Sequence, residues 1–211
     1  MIQTAWDRVK KAMDEVRGGR VVIIQDDKSR ENEGDLVMAA EMATGENINF
    51  FARYGRGLIC TPMLREHLSR LHLPQMMGQN QEAMRTAFTV SVDAKEGITT
   101  GISAFERAFT IQKLIHPDST PDDFVRPGHV FPLQARSNGV FERRGQTEAS
   151  VDLMRLARLF PAAVICEIMN EDGTMARRRD LERFAGEHGL CLITVQDIVE
   201  YRSEKGISHW Q

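Results

Sequence analysis

Apolar positions along the chain fall into two spacings. Ala5, Val9, Ala12, Met13 and Val16 recur every three or four residues across 4–17, predicting an amphipathic helix that Gly18-Gly19 ends. Val21–Gln25 reads as a buried strand, and residues 36–40 resume apolar character after the polar, acidic stretch Asp26–Asp35. Asn47–Tyr54 reads as helix, Gly57–Cys60 as strand and Arg65–Leu71 as a short helix. Ala87–Val92 alternates and is rich in β-branched residues, as a strand does. Ser103 and Glu106 have the spacing of a capping box, opening a helix to about Ile115. His116–Asp123 carries two prolines and reads as loop, and Val130–Leu133 as a short strand. Thr147 is expected to cap a helix running to Leu159. Ala162–Met169 is then a strand, Asp180–His188 a helix and Leu190–Val195 a strand, with Thr194 and Asp197 boxing the last helix. Helices and strands mix without a strict βαβ rhythm. The fold class is therefore α/β or an α+β sandwich, with a mixed β-sheet flanked by helices.

Composition narrows this further. The 211 residues are 42% hydrophobic, enough for one core, and without repeats or low-complexity linkers a single domain over 1–211 is expected. A net charge of -3 gives no basic excess to attract nucleic acid. The longest apolar runs, such as Val21–Ile24 and Ala162–Cys166, fall far short of the ~20 residues that cross a bilayer. Met1–Lys10 lacks the apolar core of a secretory signal. Cys60, Cys166 and Cys191 are odd in number, widely spaced and each in apolar surroundings. They read as buried thiols of a cytoplasmic protein rather than a disulfide framework or zinc site.

Four segments carry candidate chemistry. Asp26–Asp35 holds five carboxylates in ten residues, which suits a hard divalent cation and equally suits a solvated turn. Arg126-Pro127-Gly128-His129 is a tight turn presenting an imidazole able to move protons near neutrality. Arg143-Arg144-Gly145-Gln146-Thr147 precedes a helix, where free N–H groups and the helix dipole favour an anion. Glu167 lies inside the apolar run Val164–Met169, where burial raises a carboxyl pKa and fits it for general acid–base work, unless it forms a structural pair.

Taken in order, Arg30-Glu31-Asn32-Glu33-Gly34-Asp35, Ala87–Val90, Gly97–Ala104, Arg126–Leu133, Thr147–Ala149, Cys166-Glu167 and Asn170–Ala176 form seven blocks that resemble the 3,4-dihydroxy-2-butanone 4-phosphate synthases of riboflavin biosynthesis. The resemblance spans residues 5–202. It implies a lyase that turns D-ribulose 5-phosphate into 3,4-dihydroxy-2-butanone 4-phosphate and formate, with Mg²⁺ or Mn²⁺, as a homodimer with sites near the subunit interface. It further implies that Glu31 is a metal ligand, that Arg30 and Asp35 contact substrate, and that His129 and Glu167 are catalytic. Arg143, Arg144, Gly145, Gln146 and Thr147 match the substrate- and phosphate-binding segment, with Arg107 and Thr110 as further phosphate contacts.

The chain departs from the family where a metal would sit. The family pattern Arg-Gly-Gly-His-Thr reads Arg143-Arg144-Gly145-Gln146-Thr147 here, so Gln146 replaces the histidine that is the second metal ligand. Lys28-Ser29 replaces a commonly acidic pair. Both changes, and an inward-pointing Arg144, are expected to weaken cation binding. Three readings stay open at this stage: an active synthase, an enzyme for a related phosphosugar, and a non-catalytic sugar-phosphate-binding paralogue.

Overall fold

The computed structural model describes residues 4–210. Seven strands form one mixed sheet: β1 (Val22–Gln25), β2 (Gly34–Ala39), β3 (Cys60–Leu64), β4 (Val92–Ala94), β5 (Phe124–Ala135), β6 (Ala163–Glu167) and β7 (Cys191–Thr194). Their order across the sheet is β4-β5-β3-β6-β2-β1-β7, with β1–β7 and β3–β5 parallel and the other neighbours antiparallel.

Among the described residues seven α-helices cover it: α1 (Ala5–Arg17), α2 (Gly45–Phe50), α3 (Arg65–Arg70), α4 (Ala104–Ile115), α5 (Gln146–Ala157), α6 (Arg178–His188) and α7 (Val195–Glu204). Strand residues alternate between two cores. Ile23, Leu36, Met38, Val164 and Cys166 pack with Ile48 of α2, Leu68 of α3, Ile111 of α4 and Leu181 of α6. Val22, Ile24, Val37, Ala163 and Ile165 pack with Val9 of α1, Leu153 of α5 and Ile198 of α7. Apolar residues at every strand position, rather than at alternate ones, are what a sheet covered on both faces requires. The layered α/β sandwich with a mixed sheet is the class expected.

Most element expectations hold, and the differences have physical causes. β3 begins at Cys60 instead of ending there, because Phe51–Gly55 forms a π-helical turn that delays entry into the sheet. The run expected as strand at 87–92 enters the sheet only at Val92; Phe88 and Thr89 make single bridges. The loop and short strand expected at 116–133 include instead the twelve-residue β5, which Pro127 and Gly128 mask in the sequence. Between Val125 and Val130 this strand loses register with β4, so Arg126–His129 bulge outward. Gly145, not Thr147, is the cap of α5. Ser103 does cap α4, but Glu106 accepts from Thr99 and Gly101 rather than from Ser103 N–H.

Candidate active site

A cleft of about 160 Å³ opens where β2 and β6 meet the start of α5. Arg30, Glu31, Asp35, Gln146, Thr147 and Glu167 all line it, so three separate sequence segments converge as expected. Cys60, Glu82, Thr86, Phe88, Leu133 and Ile165 complete the walls. Of these, Phe88 and Leu133 lie in recognisable blocks, whereas nothing in the local pattern marks Cys60, Glu82 or Thr86.

Asp35 and Glu167 are direct cross-strand partners on β2 and β6, so their side chains share one face. Asp35 is enclosed, and its Oδ1 has no hydrogen-bond partner. Burial, then the charges of Glu167 and Glu31, hold its pKa well above the ordinary carboxylate range. Burial likewise raises Glu167, opposed by the Leu58 N–H, which donates to Glu167 Oε2 at 2.8 Å. Gly57 makes this approach possible: a Cβ there would stand 2.5 Å from Glu167 Oε2 and 2.7 Å from its backbone oxygen.

Arg30 lies across the floor of the acidic segment. Its Nη1 is 2.7 Å from Asp26 Oδ2, 2.6 Å from Glu31 Oε2 and 2.6 Å from Gln146 Oε1. Asp26 is fully buried and also accepts from the Glu31 and Glu33 N–H groups, which folds the segment into a fixed loop. Gln146 Nε2 lies 3.4 Å from the Glu33 carbonyl, so its Oε1 is turned toward Arg30. The oxygens of Glu31 and Gln146 thus converge on one positively charged atom. In kind they fit a hard cation, being carboxylate and amide oxygens. Glu31 and Gln146 would be the residues to hold a divalent ion, which would have to compete with the Arg30 guanidinium for the same oxygens; no three His, Cys, Asp or Glu side chains cluster for a metal among the described residues.

Arg143 stands one layer back. It donates to Glu148 Oε2 at 2.6 Å, to Met84 O at 3.1 Å and to Thr86 Oγ1 at 2.8 Å, pinning the 84–86 loop to the first turn of α5. The Arg143 and Arg30 guanidiniums crowd the space over Gly145, where a Cβ would stand 2.4 Å from Arg143 Nη1 and 3.2 Å from Arg30 Nη2. No side chain caps α5, so its N-terminal N–H groups open toward the cleft beside Thr147.

Besides Arg143 and Gly145, four further expected site residues are not among the cleft walls. Arg144 points away, donating to Gln196 Oε1 at 3.1 Å beside Asp27 and Lys28. The inward guanidinium expected to oppose a cation is therefore Arg30, not Arg144. Arg107 and Thr110 belong to α4, on the sheet face opposite α5. Thr110 is fully buried and accepts from the Ala94 N–H. Arg107 is half-buried, and that burial lowers its pKa. His129 stands on the β5 bulge outside the cleft walls, 43% exposed, with Nδ1 2.6 Å from Asp93 Oδ2.

Fold and site together define a layered α/β protein with buried carboxyl groups and an arginine gathered in one cleft. The family model for 3,4-dihydroxy-2-butanone 4-phosphate synthase matches residues 10–201, and the chain belongs to that family. It is 57% identical over 199 residues to the riboflavin biosynthesis protein RibBA of Aquifex aeolicus, covering 93% of this chain and 49% of that protein. It is 51% identical to the 3,4-dihydroxy-2-butanone 4-phosphate synthase of Pseudomonas syringae pv. tomato, covering 94% of this chain and 54% of that one. The chain thus spans about half the length of these relatives. A crystal structure of a 3,4-dihydroxy-2-butanone 4-phosphate synthase in complex with two magnesium ions superposes with a TM-score of 0.90 at 42% identity, covering 95% of this chain and 98% of that one.

Proposed function

We propose that this chain converts D-ribulose 5-phosphate into 3,4-dihydroxy-2-butanone 4-phosphate and formate. The observation that carries the reading is the neighbouring pair Asp35 and Glu167, buried at one end of a cleft whose other walls are Arg30, Glu31 and the open start of α5. The family membership and the synthase relatives support it. The buried carboxyls take and return protons during enolisation and loss of the C1 hydroxyl as water, and burial raises the pKa of both. The N–H groups of α5 and the Thr147 hydroxyl receive the phosphate. Arg30 and Glu31 orient the sugar oxygens, and Arg143 shapes the wall through Thr86. Glu31 and Gln146 would hold a divalent cation, which would supply Lewis-acid polarisation of the ketose oxygens. His129 supplies the remaining acid–base group.

The active form in this reading is a homodimer. Ile102, Phe105, Phe109 and Val125 are large apolar residues exposed on α4, the loop before it and β5. Phe105 and Phe109 are one helical turn apart, and Val125 is the register partner of Asp93. The patch therefore borders His129, and a second copy covering it carries that imidazole to the neighbouring cleft. Each copy acts as a single domain. The three buried free thiols suit a reducing cytoplasm.

The test is formate release from ribulose 5-phosphate, with Mg²⁺ and with a chelator. Formate in equal amount to the butanone phosphate, lost on chelation, is the expected result. Turnover without formate, or none, rejects the proposal.

A further inference from the structure

A second and larger groove lies beyond the carboxyl ends of β1 and β7. The two strands run parallel and end together, Gln25 opposite Thr194, with α6 on one face and α7 on the other. Crevices at the carboxyl ends of strands are where open α/β sheets take up small ligands. This one holds about 600 Å³, against about 160 Å³ for the cleft. Three cationic side chains from separate segments line it: Lys28 of the acidic loop, Arg144 before α5 and Arg178 at the start of α6. Lys28 and Arg144 make no ion pair among the described residues; Arg144 donates to the neutral Gln196 at 3.1 Å. Arg178 pairs with Glu182 at the surface, where such a pair holds little. The carboxylates of the wall are engaged elsewhere. Asp26 is buried against Arg30, and Asp27 accepts from the Ser29 N–H at 2.8 Å. Gln25 gives a second, independent sign. It lines the groove at only 4% exposure, and its Oε1 accepts from Arg178 Nη1 at 3.2 Å. Its amide NH₂ has no partner among the described residues, so a buried donor is left to meet whatever enters.

We infer that this groove is a second binding site, separate from the cleft, for an organic diphosphate of nucleoside-diphosphate size. Guanidinium forks and an ammonium hold phosphate oxygens by charge-assisted hydrogen bonds, and two phosphoryl groups engage all three cations. The amides of Gln25 and Gln196 are left for hydroxyls or a base edge on the rest of the ligand. The volume lies in the range of small-molecule sites and is several times that of the cleft. Lys28 and Arg144 are two of the chain's departures from the family pattern, and they meet here instead of in the cleft. Charge expected to weaken a cation site thus builds an anion site beside it. The inference stands whether or not the synthase reading holds.

NMR titration of the ¹⁵N-labelled protein with ADP and with AMP tests this. With ADP, saturable shifts are expected at the backbone amides of Lys28, Arg144, Val195 and Gln196 and at the side-chain NH₂ of Gln25. AMP should bind about tenfold or more weakly than ADP, having one phosphoryl group fewer for the cations. Lys28→Ala combined with Arg144→Ala should weaken ADP binding by about tenfold or more. Both side chains are exposed, so the fold should tolerate their loss, and the same spectra report it. Wild-type shifts confined to Thr147 and its neighbours in the cleft, or no saturable shift at all, overturn the inference without any variant. AMP binding as tightly as ADP overturns it too, and so does a folded double variant with wild-type affinity for ADP.

Discussion

At the scale of single residues, Gln146 is the change with the largest chemical consequence. Its amide oxygen shares Arg30 Nη1 with Glu31, so the position is held by a neutral acceptor facing an internal cation. Gln146→His supplies an imidazole ligand that competes better for a divalent ion. Mn²⁺ binding followed by electron paramagnetic resonance should tighten by about tenfold or more. Arg144→Gly should add nothing to this, because that side chain is turned toward Gln196. An unchanged Mn²⁺ affinity in Gln146→His would remove Gln146 as a metal ligand. Asp35 makes a second prediction. Its folded-state pKa is raised above the ordinary 3.8, chiefly by burial, so its contribution to stability is complete below that value and is withdrawn as pH rises through the folded pKa. Asp35→Asn, which cannot ionise, should melt with the wild type in acid and above it toward pH 8. The gain should be about 2–4 °C for each kcal/mol of strain relieved. Parallel melting curves from acid to pH 8 would contradict the burial of a charge there.

At the scale of elements, the bulge in β5 decides what could be foreseen. Strands β1, β2, β6 and β7 and helices α1, α4 and α7 are legible because each has a clean spacing and a polar cap or glycine at an end. β5 is not, since its apolar alternation is broken by Arg126–His129, and only the pairing with β4 on either side reveals one continuous strand. The site divides in the same way. Arg30, Glu31, Asp35, Gln146, Thr147 and Glu167 can be named from sequence because charge or a helix start marks them among apolar neighbours. Cys60 and Thr86 cannot, because nothing local marks them and only contacts distant in sequence bring them to the cleft walls. Arg144, Arg107 and Thr110 are drawn in by motif order alone, and side-chain direction removes them from the cleft. The bulge also yields a prediction. A Cβ on Gly128 would overlap the Val92 carbonyl carbon and the Asp93 nitrogen, both backbone atoms that cannot yield cheaply. Gly128→Ala should cost about 1–3 kcal/mol, read as a lower midpoint in urea unfolding. A variant as stable as wild type would show that the bulge is not pressed against β4.

For the whole molecule, the question is which cleft each His129 serves. If it serves the neighbour's, then His129→Ala and Glu167→Gln subunits refolded together form mixed dimers with one site intact and one doubly altered. Random pairing makes half the dimers mixed, so formate release should recover to about a quarter of wild type from two inactive parents. A mixture as inactive as its parents would confine His129 to its own chain. Glu106 bears on how such a dimer meets acid. Hydrogen bonds, first from the Thr99 side chain, then from the Thr99 and Gly101 backbone, bring its pKa down to about 2. The hold of Glu106 on the 99–101 segment is therefore complete above the ordinary glutamate value of 4.5, and it loosens only as pH falls through about 2. The latch beside the apolar patch stays shut across mildly acidic conditions. Any decline of activity near pH 5 thus reports the reacting groups themselves, and acid inactivation of this protein can be read as chemistry before it is read as collapse.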